Sequence, residues 1–272
     1  MRLPISVVAE NGNRFSEVEI RKPNSGLVAD TKKLIDSNPN MFISVKQFVS
    51  GIITSIDNIS DPTALKGLIK NIPYRSAEYL MIQAFILRNP ENDGVEGVYL
   101  CPRCETQVIA EAYEKDGIEY DTRDFISDLE VIYTDFTSVE IHFSEPVEIK
   151  NMKNGEVLYS IESIQMNYPT LEHCIQGYNS CSDKKDEIRL QFSIYAQALT
   201  HVNGTEIDSK FRSNFGAILF EKVDNDQDLY KISNAMREFG LNNKVKKNCP
   251  NCSKNWVTTL NTNNFFVSSL NV

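Results

Sequence analysis

The sequence predicts an α+β protein in which two Cys-Pro-x-Cys turns, far apart in the chain, bracket a strand-rich insert and a C-terminal helical region. Three observations carry this. Apolar residues recur at helical spacing through the first ninety positions and again beyond residue 182. Runs rich in β-branched and aromatic residues fill the middle. Cys101-Pro102-Arg103-Cys104 and Cys249-Pro250-Asn251-Cys252 each present two thiols across a tight turn with strand formers beside it. The chain then divides into 1–92, a hairpin plus helices, and 93–272, a tethered α+β region. Within the second part the insert covers about 113–165 and the helices about 182–240.

Residues 3–9 and 15–21 alternate around Asn11-Gly12-Asn13, a hairpin signal. Asp30 to Asp36 reads as helical, carrying Leu34 and Ile35 among polar residues. Phe42, Val45, Phe48, Val49 and Ile52 trace one face of an amphipathic helix. Asp61-Pro62 opens a short one, with Asp as N-cap and Pro at the first helical position. Ser76 to Arg88 is apolar on one face and stops at Pro90. A polar turn at 91–97 leads into the first Cys pair. Leu129 to Tyr133 and Val139 to Phe143 read as paired strands, and Leu158 to Met166 as a further one. Ser182-Asp183 caps a helix expected to run to a stop at Asn203-Gly204. Asp208 starts another, with Phe211, Phe215, Ile218 and Leu219 on one face. Asp226 starts a third, closed by Gly240 at a C-cap position.

Four thiolates in two tight turns match what tetrahedral Zn²⁺ takes in a closed structural site. Cys101, Cys104, Cys249 and Cys252 are therefore the candidate metal ligands, a zinc-ribbon-type four-cysteine knuckle pair. The usual ribbon has about 15–20 residues between its turns; here 144 intervene, so a subdomain would have to be inserted. Val98-Tyr99-Leu100 leads into the first turn, Gln107 to Ala110 leads out, and Trp256 to Leu260 follows the second. Redox chemistry is the competing reading of C-P-x-C, but it needs a helix after the turn to lower the thiol pKa, and strand formers follow instead. Structural disulfides need an oxidising compartment, whereas Met1-Arg2-Leu3-Pro4 runs straight into a strand pattern without an export signal. Unconnected turn cysteines are the remaining alternative. Cys174 and Cys181 read as ordinary buried or half-buried residues.

Hydrophobic content of 41%, charged content of 24% and the lack of any long apolar run suit a globular protein with no membrane span. A net charge of −9 argues against a general phosphate-binding surface. Lys244, Lys246, Lys247 and Arg103 form a local basic group beside the Cys pairs. They either offset the formal −2 charge of a four-thiolate zinc centre or contact phosphate. The sequence has no Gly-rich phosphate loop, no G-x-S-x-G, no H-E-x-x-H and only three His. His142 falls in a strand, His173 in a helix and His201 at a helix end; the acid pairs Glu111/Glu114 and Asp183/Asp186 suit solvated surfaces. No catalytic or cofactor-binding residue is expected.

The arrangement resembles the T4-like phage baseplate hub and tail assembly proteins. The likeness rests on Phe192-Ser193-Ile194-Tyr195-Ala196 before His201-Val202-Asn203-Gly204, the helix ending at Phe239-Gly240, the Cys pairs, and Phe265-Phe266. Val18 to Pro23 followed by helices is similar to the start of phage tail assembly chaperones. It spans residues 75–112 and 182–266, and the insert at 113–165 has no counterpart. It implies a non-enzymatic structural or assembly part of a contractile tail, present in the bacterial host cytoplasm during assembly and in the virion baseplate. The implied partners are other tail or baseplate proteins, with no membrane and no small-molecule substrate. A zinc-ribbon nucleic-acid-binding protein is the alternative. The apolar faces at 42–53, 76–88 and 208–220 either pack together or leave a docking surface with Phe265 or Phe266 at its edge.

Overall fold

The computed structural model describes residues 1–90 and 94–260, and its architecture is mixed α+β. Phe265-Phe266 and part of the 91–97 turn lie outside the described residues. Strands β1 (Arg2–Val8) and β2 (Arg14–Ile20) form the expected hairpin, with Gly12 at φ +82° in the turn. Helix α1 (Ser25–Ser37) is capped by Asn24, whose side chain accepts from the Leu27 N–H. Helix α2 (Met41–Ile52) is capped likewise by Asn40. It runs straight into β3 (Ile53–Ile56), which pairs with β2, so the first sheet has the order β1-β2-β3. Helix α3 (Pro62–Ile69) starts at the Asp61 cap with Pro62 in its first turn. Helix α4 (Tyr74–Arg88) is buried along Ala77, Leu80, Met81, Ala84 and Phe85, against the first sheet.

Short hairpins follow. β4 (Gly94–Val95) precedes β5 (Gly97–Leu100) and β6 (Gln107–Ala110), which pair with each other. β7 (Ala112–Lys115) and β8 (Ile118–Asp121) make a solvent-exposed arm, stacked through Tyr113 and Tyr120. β9 (Asp124–Phe125) returns to pair with β4. β10 (Val131–Ile132) does not pair with the next strand as the sequence suggested. Instead β11 (Ser138–Lys150) pairs with β12 (Val157–Asn167) in a long hairpin with a bulge between His142 and Val147.

Helices α5 (Leu171–Ser180) and α6 (Glu187–Ala198) cover that sheet. The α6 cap is Asp186, which accepts from the Ile188 and Arg189 N–H groups, rather than Ser182-Asp183. The chain then enters β13 (Leu199–Val202), turns, and returns as β14 (Thr205–Glu206), giving the order β11-β12-β13-β14. Asn203-Gly204 is thus a hairpin turn and not a helix stop, and His201 lies in a strand. Both turn residues have positive φ, +48° and +74°, as a type I′ turn requires.

Helix α7 (Ser209–Lys222) is capped by Asp208 and α8 (Asp226–Arg237) by Asn225. The expected apolar face of α7 is split: Leu219 and Phe220 are buried, whereas Phe211 and Ile218 are exposed. Gly240 does not end a helix; it lies in β15 (Gly240–Leu241), which is the partner of β10. The chain then forms β16 (Lys244–Asn248) and β17 (Asn255–Thr259), a hairpin. The sequence marks β17 but shows residues 244–247 only as a basic run.

Two cores result. One joins the first sheet and α2 to α4 with Val95, Tyr99, Ala110, Leu241, Val245 and Leu260. It therefore crosses the division expected at 92/93. The other lies between the β11-β12-β13-β14 sheet and α5 to α8. β1 serves both, with Leu3 and Val7 in the first and Ile5 in the second. The helical faces expected at 42–53 and 76–88 are consumed in these cores, except for Leu87, which is exposed.

Candidate metal centre

The two Cys turns are the tips of two hairpins that match residue by residue. In the first, the Cys101 N–H donates to the Thr106 carbonyl and the Glu105 N–H donates back to the Cys101 carbonyl. In the second, the Cys249 N–H donates to the Lys254 carbonyl and the Ser253 N–H to the Cys249 carbonyl. Glu105 and Ser253 hold the same position, directly after the second Cys, and both are left-handed at φ +56° and +55°. Each tip is framed by strands, β5 and β6 for one and β16 and β17 for the other. The expected pattern of a knuckle followed by a strand is extended, since a strand enters each knuckle as well.

The hairpins bring all four predicted thiols together. The sulfur of Cys104 lies 3.5 Å from those of Cys249 and Cys252, and Cys101 lies 3.6 Å from Cys252. All four Sγ atoms fall within 4.8 Å of one another. None is bonded as a disulfide. Cys101 and Cys249 are buried and Cys104 and Cys252 half-buried, so the first Cys of each pair forms the floor and the second the mouth. Tetrahedral ligands at about 2.3 Å from an ion stand about 3.8 Å apart, close to the spacing seen. The donor set fits a soft divalent ion.

Polar neighbours prepare the sulfurs to carry charge. The Arg103 N–H points at Cys101 Sγ at 3.5 Å, and the Asn251 amide reaches Cys104 Sγ at 3.8 Å. The Thr106 hydroxyl lies 3.2 Å from Cys104 Sγ; this contact and the Thr106 N–H bring the Cys104 thiol down to about 6. The Lys254 N–H pulls Cys252 down too, but desolvation and the neighbouring thiols outweigh it and push that group up to about 12. Four thiols in contact thus share protons unequally, and an ion that binds them displaces those protons.

Sequence reasoning placed Lys247 in the basic group beside the Cys pairs but missed its pairing with Asp124 and Tyr99 behind the knuckles. Asp124 in β9 receives the Lys247 ammonium on both oxygens, at 2.6 and 2.7 Å, and the Tyr99 hydroxyl at 2.6 Å. The ammonium also sits 4.4 Å from the centre of the Tyr99 ring. Lys247 is therefore engaged, while Lys244, Lys246 and Arg103 are outside any ion pair among the described residues. Strand alternation carried the signal, because it puts Lys247 on the inward face with Val245. Nothing local marked Asp124.

The other sequence candidates lie elsewhere. Cys174 is buried in the second core, where desolvation raises its thiol pKa, and Cys181 is buried at the end of α5. His173 completes the N-terminal cap of α5, and burial, then Arg212, lowers it to about 4. His142 is exposed on β11. A cleft of about 1130 Å³ lies between α4, α6 and α8, away from the sulfurs. In its lining the Arg75 guanidinium is spent on Glu78 at 2.6 Å and on the Leu241 carbonyl at 2.8 Å. No helix among the described residues is long and apolar enough to cross a membrane. No family model, curated protein or solved structure matches this chain.

Proposed function

We propose that this chain is a non-enzymatic structural or assembly protein that works through protein–protein contact and is tied by one structural zinc ion on Cys101, Cys104, Cys249 and Cys252. The convergence of the four sulfurs at near-tetrahedral spacing carries this reading. Four protein thiolates around zinc leave no open position for a substrate, which favours a structural over a catalytic ion. When bound, zinc supplies the bonds that join the two hairpins. In the lining of the cleft, the Arg75 guanidinium is engaged by Glu78 and the Leu241 carbonyl. Val98, Leu100 and Ile109 offer a contact surface on the outward face of β5 and β6, at 60%, 62% and 50% exposure. The setting we propose, a phage-type contractile tail or baseplate, rests on the resemblance in residues 75–112 and 182–266.

The basic group of Arg103, Lys244 and Lys246 favours a second reading, a ribbon that binds nucleic acid. Against it stand the net charge of −9 and the engagement of Lys247 by Asp124. Metal analysis of the purified protein tests the main proposal. One zinc per chain is expected, and Cys252→Ser should lose it and lower Tm by at least about 5 °C. A serine variant that melts with the wild type while keeping its zinc sinks the structural-zinc reading. Co-purification with tail or baseplate subunits supports the setting; salt-dependent binding to DNA or RNA without such subunits favours the second reading.

A further inference from the structure

Tyr99 stands two residues before Cys101, and Lys247 two residues before Cys249. In a strand, residues two apart share a face, so each lies on the inward side of its hairpin, behind the buried Cys of that knuckle. The match extends across the ladders, where Tyr99 pairs with Val108 and Lys247 with Trp256. The two hairpins thus meet through equivalent positions, ring against ammonium. Asp124 closes the contact from a third segment. β9 carries it, and the pairing of Val95 with Asp124 fixes β9 just upstream of the first knuckle. The Lys247 and Asp124 side chains are 9% and 12% exposed. A nearly buried pair of this kind holds position strongly, because separating it leaves an uncompensated charge in the interior.

None of these contacts involves sulfur. Given the zinc reading above, on which this rests, we infer that Lys247, Asp124 and Tyr99 form a clasp that positions the two knuckles with or without the ion. The four thiols are then assembled before metal arrives, and metal can leave and return without the C-terminal hairpin coming away. Lys247 acts as a positioning residue here and not as a counter-charge to the thiolates, since both Asp124 oxygens hold its ammonium.

Hydrogen exchange on chelator-stripped protein tests the clasp, with zinc affinity measured in parallel by competition. In stripped wild type, amides of 97–110 and 244–259 should exchange within about tenfold of their zinc-loaded rates. In stripped Lys247→Met the same amides should exchange at least about a hundredfold faster than in stripped wild type. Loaded Lys247→Met should still bind one zinc, with affinity about 10–100-fold weaker. Lys247→Arg should restore much of the protection. If Lys247→Met fails to fold even with zinc, Tyr99→Phe removes one hydrogen bond alone, and the same ordering of stripped rates is expected on a smaller scale. The clasp is overturned if stripped wild type exchanges as fast as stripped Lys247→Met, or if the stripped variants keep wild-type protection. A protein that purifies without zinc would defeat the metal reading, while the exchange comparison on the metal-free chain would still decide the clasp.

Discussion

Asp228 shows how one buried carboxylate can decide the position of a helix. It is 1% exposed at the start of α8, and its oxygens take the Ser144 N–H at 3.0 Å, the Ser144 hydroxyl at 2.9 Å and the Lys231 ammonium at 2.8 Å. Ser144 lies in the β11 bulge, where the backbone N–H has left the ladder and needs an acceptor. Burial alone would raise the carboxyl pKa, but Lys231 and both Ser144 donors outweigh it and hold the group below its ordinary value. A depressed folded pKa contributes stability that is complete above the unfolded value of about 3.9. That contribution is lost as pH falls through the lower, folded value. Asp228→Asn should therefore destabilise the protein by about 1–3 kcal/mol at pH 7. The gap from wild type should shrink in urea unfolding series taken below about pH 4. A gap that stays constant from pH 7 to pH 3 would contradict this account. The residue scale is also where the sequence was most informative about the site. Cys, Pro and their spacing are local facts, so all four thiols could be named. Asp124 could not, because the Lys247 that gives it meaning lies 123 residues away.

At the scale of elements, two glycines set how closely the helices of the second core approach. A Cβ on Gly177 of α5 would lie 2.6 Å from the Ile194 Cα, and one on Gly216 of α7 would lie 2.8 Å from the Ala196 Cα. Both obstacles are backbone of α6, so neither can be relieved by a side-chain rotation. Helix α6 is wedged between α5 and α7 at distances that only glycine permits. Gly177→Ala gains helix propensity of about 1 kcal/mol but must push two helices apart, at about 1–3 kcal/mol. We expect net destabilisation, read as a lower urea midpoint with unchanged slope. An alanine variant as stable as wild type would show that α5 can shift freely. Element types were legible wherever a cap or an apolar period was local, as with Asp61-Pro62 and the α2 face. The errors came where one signal serves two structures. Asn203-Gly204 supplies left-handed residues, which both a helix end and a type I′ turn need; only the pairing of β13 with β12 selects the turn. Val131–Ile132 likewise had a nearby strand to pair with, yet its partner is β15, far along the chain.

For the whole molecule, the sequence conveyed the α+β class and the enclosure of an insert by the knuckles. It did not convey that one core would draw on both sides of residue 92, since such packing is set by which surfaces meet after folding. The enclosure has a mechanical side. Tension applied at Met1 and Leu260 reaches Cys101 from one direction and Cys252 from the other. With an ion in place, the load passes through the sulfur–metal bonds and bypasses everything between, including the entire second sheet and α5 to α8. Those elements then lie off the covalent path of the load and meet it through their packing on β1. In single-molecule stretching, the loaded protein should release only its outer segments until the centre ruptures. A single late step should follow, on the order of 500 Å, the extended length of the freed segment. Stripped of metal, the same chain should yield that length earlier and at lower force. If loaded and stripped chains give identical traces, the centre does not bear the load.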